Sequence, residues 1–233
     1  MIIVRNEKLI KRNNQIGKYS GIISILILGA GMYVSIRYKE QINLSMIALI
    51  LGFTLSQIGI FYSNRFGRSP RMDEELDAAL KGLDDQYALY HYQSPVSHLL
   101  VGPAGVWILL PFTQKGKIIY EEKKGRWKKI GGNFYTRFFA QDSIGDPVKE
   151  LASARKRLLK TFGNIPELDT LEIKSALVFT NENAVVEAEN APEPTVHARQ
   201  LKKIIRKEVK SENTLSSPLI KTLQDYLGLK SII

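Results

Sequence analysis

Two long uncharged stretches separated by only five residues constrain this chain more than anything else in it. Tyr19 to Ile36 supplies eighteen residues with no ionisable group other than tyrosine, and Ile42 to Tyr62 supplies twenty-one. At 1.5 Å of rise per residue, a helix of either length crosses most of a bilayer's hydrocarbon core, roughly 30 Å thick. The break between them, Arg37-Tyr38-Lys39-Glu40-Gln41, leaves room only for a turn. The pair therefore reads as a helical hairpin. A cleaved signal peptide is the rival for the first stretch, but its apolar run is too long, no small-x-small cleavage site stands out, and a second span follows at once.

Charge sets the expected orientation. Through Met72 there are 10 Lys and Arg against 2 Asp and Glu, whereas from Asp73 onward there are 23 against 21. Most of the net charge of +10 thus flanks the spans, and whole-chain charge is weak evidence for a polyanion partner. Arg5, Lys8, Lys11, Arg12 and Lys18 precede the first span, Arg65, Arg68 and Arg71 follow the second, and only Arg37 and Lys39 occupy the loop. The positive-inside rule then places both termini in the cytoplasm. The expected order is a basic cytoplasmic N-terminus at 1–18, transmembrane helices at 19–36 and 42–62, an external loop at 37–41, and a cytoplasmic domain at 70–233 of a multi-pass cell-membrane protein.

Gln57 is the one strongly polar residue well inside a span, and no acid or base lies at membrane depth, so the spans read as an anchor rather than a conduction path. Gly17 with Gly21, and Gly52 with Ser56, have the spacing that lets helices approach closely. Packing within the hairpin, packing between protomers and the ordinary glycine content of membrane helices all fit that spacing. The absence of cysteine excludes disulfides and thiolate metal sites and agrees with a reducing compartment.

The remainder reads as α/β. Ser69-Pro70 looks like a cap and first-turn proline for a helix over Arg71–Leu83, with Asp73, Glu74 and Glu75 in its first turn. Strand-like runs follow at Tyr87–Tyr92, at Val96–Leu110 around the turn Gly102-Pro103-Ala104-Gly105, and at Lys117–Tyr120 and Trp127–Ile130. Asp146 caps an expected helix Pro147–Phe162, Ile173–Thr180 reads as a buried strand with a parallel neighbour, and Ala184–Glu187 as a short strand. Val196–Val209 is an expected helix with a basic face, and Ser217-Pro218 begins the last helix.

The run Val96 to Gly116, Val-Ser-His-Leu-Leu-Val-Gly-Pro-Ala-Gly-Val-Trp-Ile-Leu-Leu-Pro-Phe-Thr-Gln-Lys-Gly, resembles the nuclease-related domain (NERD) family. Its usual pattern there is Ile-Asp-His-Val-Val-Val-Gly-Pro-x-Gly-Ile-Phe-Val-Ile-Glu-x-Lys-x-x-x-Gly. His98, Gly102, Pro103, Gly105 and Gly116 match, and Asp146-Pro147-Val148-Lys149-Glu150 stands where the family tends to show Asn-Pro-x-x-Gln. The resemblance implies a restriction-endonuclease-like mixed sheet flanked by helices, preceded here by the membrane hairpin. It also implies a Mg²⁺ site built from an Asp, a Glu and a Lys, since hard oxygen ligands hold a cation that polarises phosphate.

Those three positions fall on Ser97, Leu110 and Phe112, which supply a hydroxyl and two apolar side chains. No metal or cofactor is expected there, and the chain reads as a degenerate, non-cutting relative that binds or scaffolds. The alternative is a working Mg²⁺-dependent nuclease with relocated carboxylates: Glu75 with its neighbours Asp73, Glu74 and Asp77, and Glu150. Glu121-x-Lys123 and Glu122-x-Lys124 repeat the acidic-x-basic spacing but read as ion pairs at a charged turn. His98, on an alternating strand, points away from Ser97 and reads as a hydrogen-bonded structural residue. A third reading is a structural subunit whose spans pair with a membrane-protein partner or a second copy.

Between Lys115 and Lys160, thirteen Lys and Arg face five Asp and Glu, with aromatic residues interleaved. Lys123, Lys124, Arg126, Lys128, Lys129 and Arg137 are therefore candidates to touch nucleic acid or lipid headgroups, against the plainer reading of a solvated surface.

Overall fold

The computed structural model describes residues 1–131, 144–163, 172–209 and 214–229. The chain divides into two compact units, Glu7–Arg71 and Met1–Asn6 together with Met72–Ile233.

The first unit is a helical hairpin. Helix α1 (Glu7–Arg37) and helix α2 (Ile42–Tyr62) are joined by one tight turn at Lys39–Gln41, and α2 closes in a wider turn at Ser63–Gly67. Both helices are long and apolar enough to cross a membrane. Small residues let their backbones touch: a Cβ on Gly59 would lie 2.9 Å from the backbone nitrogen of Gly21, and one on Gly52 would lie 2.6 Å from Leu28 Cγ. The small-residue spacing is thus used for packing within the hairpin. Gln57 is exposed on α2.

The second unit holds two sheets. Strands β1 (Ile2–Arg5), β2 (Ala88–His91), β3 (His98–Gly102), β4 (Gly105–Phe112), β7 (Ile173–Phe179) and β9 (Thr195–His197) form a mixed six-stranded sheet, order β1-β2-β3-β4-β7-β9. Strands β2, β3 and β4 are antiparallel neighbours, whereas β1 lies parallel to β2 and β7 parallel to β4. A smaller sheet has β5 (Gly116–Glu121) between β6 (Arg126–Ile130) and β8 (Ala184–Glu187).

Helices cover both faces of the larger sheet. Leu151, Leu158 and Phe162 of α4 (Pro147–Phe162) and Leu223 and Leu227 of α6 (Ser217–Leu229) pack on Leu99, Val101 and Ile108. Leu76 and Leu80 of α3 (Met72–Leu80) and Leu201 and Ile205 of α5 (Ala198–Glu208) pack on Leu89, Leu100 and Leu109 across the sheet. The β3–β4 turn needs its glycines. A Cβ on Gly102 would fall 2.3 Å from the Tyr87 ring, and Gly105 has φ +106°.

Several expectations require correction. The basic stretch 1–18 forms a strand and the start of a helix. The β-branched run Ile2-Ile3-Val4 adds an edge strand to β2, and residues 7–18 are the first twelve of α1, whose helix continues past the point where charges begin. The unit that holds the two sheets accordingly includes Met1–Asn6 as well as Met72–Ile233. Helix α3 starts at Met72, after a cis Ser69–Pro70 bond, and gives way at Lys81-Gly82, where Gly82 has φ +86°. The strand meander also splits, because β5 leaves for the second sheet after Phe112. Strand β9 was not expected, being only three residues long.

Candidate functional site

The register of β3 on β4 pairs Leu99 with Ile108, and continuing it brings Ser97 opposite Leu110. Of the positions that the resemblance assigns to a metal, Leu110 and Phe112 are spent on packed apolar surface. Leu110 is buried in the core cluster that includes Ile118, Trp127 and Ile144. Phe112 lies stacked on Phe179, ring centroids 5.2 Å apart, and β4 and β7 pair these two residues directly. Ser97 is half-buried, and its carbonyl accepts a hydrogen bond from the Tyr92 backbone N–H at 2.8 Å. A divalent cation needs oxygen ligands, and this set does not fit one.

The acids gather elsewhere, around a cation that the chain itself supplies. On β1, β2 and β3 the register aligns Arg5 with His91 and His91 with His98, a row of three basic side chains across adjacent strands. Opposite that row stands α3. Asp73, Leu76, Asp77 and Leu80 recur at helical spacing, so its sheet-facing stripe carries two carboxylates at its N-terminal end. Arg5 Nε lies 3.2 Å from Asp73 Oδ2, and the same guanidinium pairs with Asp77 through its Nη2. His91 Nε2 is 3.0 Å from Asp77 Oδ1, and its Nδ1 is 2.8 Å from His98 Nδ1. The Tyr92 ring meets His98 edge-on at 5.0 Å, and Tyr92 has φ +57° at the turn that brings the two strands together.

Asp73, His91 and His98 are essentially excluded from water. Burying charge is tolerated only where partners are supplied, and here each carboxylate has one. The hydrogen-bond network assigns the tautomers: His91 donates from Nε2 to Asp77, which leaves its Nδ1 to accept from His98. The assembly locks α3 onto three strands.

The other expected residues do not join it. Glu75 is half-buried on α3, and Glu150 is exposed in the first turn of α4. Because α3 and α4 cover opposite faces of the sheet, the relocated carboxylates are separated by it. Among the described residues no group of three or more His, Asp or Glu side chains is placed to hold a metal ion.

The basic ribbon β5–β6 is offset only in part from within, because three of its bases share one carboxylate. Glu121 receives Lys128 at 3.0 Å, Arg126 at 3.3 Å and Lys124 at 3.8 Å, and the Lys128 hydrogen bond above all holds its carboxyl below the ordinary range. Glu122 accepts from Asn190 at 2.9 Å. Lys123 is exposed at the tip and Lys129 half-buried on β6, while Arg137 and the aromatic residues 134, 135, 138 and 139 lie outside the described residues. Lys202 and Arg206 of α5 donate to the carbonyls of Lys81 and Gly82 at 2.9 and 2.8 Å, capping the end of α3.

Sequence reasoning missed Arg5 and His91. The signal for Arg5 was present on α3, where Asp73 and Asp77 share a stripe with Leu76 and Leu80 and so demand a buried cation. Comparison of the chain with family models, curated proteins and solved structures finds no match.

Proposed function

We propose that this chain is a membrane-anchored, nuclease-related domain of restriction-endonuclease-like type that does not cut. It acts as a binding or scaffold module at the cytoplasmic face of the cell membrane. The observation that carries the reading is the fate of Leu110 and Phe112, which spend the metal-bearing strand on core packing. The order α3, β2, β3, β4, α4, β7, with β7 parallel to β4, agrees with the helix, meander, helix, strand order that the resemblance implies.

Anchoring is supported by the two apolar helices, and the same-side placement of the chain ends by β1. Because Met1–Asn6 folds into the unit that also holds Met72–Ile233, a hairpin crossing the bilayer must return to the side it left. The helices are then an insertion in the β1-to-β2 crossover of the soluble domain.

A working nuclease with relocated acids is disfavoured, since Glu150 and the α3 carboxylates occupy opposite faces and Asp73 and Asp77 are taken by Arg5. At β5–β6, Glu121 offsets one of the three bases that reach it, so a nucleic-acid partner there would meet a reduced basic surface. The test is incubation of the full chain, purified in detergent, with single- and double-stranded DNA and RNA in Mg²⁺ or Mn²⁺. No cleavage is expected. Cleavage abolished by Glu150→Ala or Glu75→Ala would overturn the proposal.

A further inference from the structure

Three bases of β5–β6 share Glu121, whereas those at the foot of the hairpin have no carboxylate partner among the described residues. Lys8, Lys11, Arg12 and Lys18 are exposed on α1, and Arg68 is exposed just beyond α2. None of the five pairs with a carboxylate among the described residues, and Glu7 is the one acid in the hairpin unit at this end.

Their arrangement on α1 is directional. The buried residues of the helix are Ile10, Asn13, Gly17, Ser20, Ser24 and Gly31, a stripe at helical spacing. At about 100° per residue, Lys8, Lys11, Arg12 and Lys18 centre roughly half a turn from that stripe. One side of α1 is thus packed and small, and the opposite side, before the uncharged span begins, is basic.

The span starts at Tyr19, next to Lys18. Along the axis, Arg12 and Lys11 lie about 9–10 Å and Lys8 about 15 Å further from the hydrocarbon. The headgroup layer adds roughly 5–7 Å per side, and screening at physiological salt sets in over about 8 Å. Lys18 therefore sits among headgroups, Lys11 and Arg12 reach them with long flexible side chains, and Lys8 feels their potential.

We infer that this exposed basic stripe of α1 is a docking surface for an anionic phospholipid leaflet. This inference rests on the anchored reading proposed above.

The test uses the full chain reconstituted in vesicles of equal phosphatidylglycerol and phosphatidylcholine, re-extracted in mild detergent, with retained lipid counted by native mass spectrometry. The wild type is expected to retain phosphatidylglycerol over phosphatidylcholine by about fivefold or more, the weight of one base at an anionic surface. The K8Q/K11Q/R12Q/K18Q variant is expected to lose that preference yet resist extraction by alkaline carbonate, and K123Q/K124Q/K128Q to keep it. A wild type without preference, or a quadruple variant that keeps it, overturns the inference while leaving the anchor intact. Extraction of the wild type by carbonate would instead overturn the anchored reading itself.

Discussion

His91 and His98 lie on neighbouring antiparallel strands with their Nδ1 atoms 2.8 Å apart, so one imidazole must donate and the other accept. Because His91 is also committed to Asp77 through Nε2, the pair forms one polar chain with Asp77 and Arg5. The stability of the unit that holds the two sheets should depend on that chain.

A double-mutant cycle on His91→Phe and His98→Phe should give a coupling of about 1–3 kcal/mol, because either single change leaves a buried ring nitrogen without its partner. The fluorescence of the two buried tryptophans, Trp107 and Trp127, followed in denaturant, reads it out. Additive single effects would show that the contact contributes no specific energy.

Arg5→Met should be more damaging. It leaves Asp73, wholly excluded from water, without the guanidinium, at a cost of about 3–5 kcal/mol. Adding Asp73→Asn and Asp77→Asn to Arg5→Met should recover much of that loss, since the buried charges then go together.

Joining residues 1–6 to 72–233 through a short Gly-Ser linker should give a soluble, cooperatively folding protein, because β1 and α3 are already held together by Arg5. Residues 72–233 alone lack β1 and leave the β2 edge open. That fragment should melt at lower temperature or aggregate; thermal melts by circular dichroism with size-exclusion chromatography compare the two.

Gly59→Val should separate α1 from α2, since the atom it would strike is backbone, whereas Gly29→Val meets nothing within 4 Å. Thermal melts of the full chain in detergent, followed by circular dichroism, should show a clearly lowered transition for Gly59→Val and a small change for Gly29→Val.

Asp146 caps α4 by accepting from the Lys149 backbone N–H, and the Lys149 ammonium, first among its neighbours, holds its carboxyl below the ordinary value. A depressed folded value means that this contribution is complete above the unfolded value and lost as pH falls through the folded one. Asp146→Asn should therefore flatten part of the acid limb of the stability profile below about pH 4, measured by chemical denaturation across pH.

Much of the fold was legible where local signals and burial agreed. The β3–β4 hairpin announced itself through Gly102 and Gly105, and α4 through Asp146-Pro147, because those residues are demanded by turn and cap geometry. The polar row was not legible as a unit. Arg5, Asp73, His91 and His98 come from four separate elements, and a strand of four residues before a long helix looks like part of a charged flank. At β5–β6, composition counts bases, whereas only the structure shows that Arg126 and Lys128 share Glu121.

The claim that Leu110 and Phe112 have replaced a cation site is tested most directly by calorimetric titration of the full chain in detergent with Mn²⁺. No site-stoichiometric uptake is the predicted result. One equivalent bound per chain, and lost in Glu150→Ala or Asp77→Asn, would contradict it.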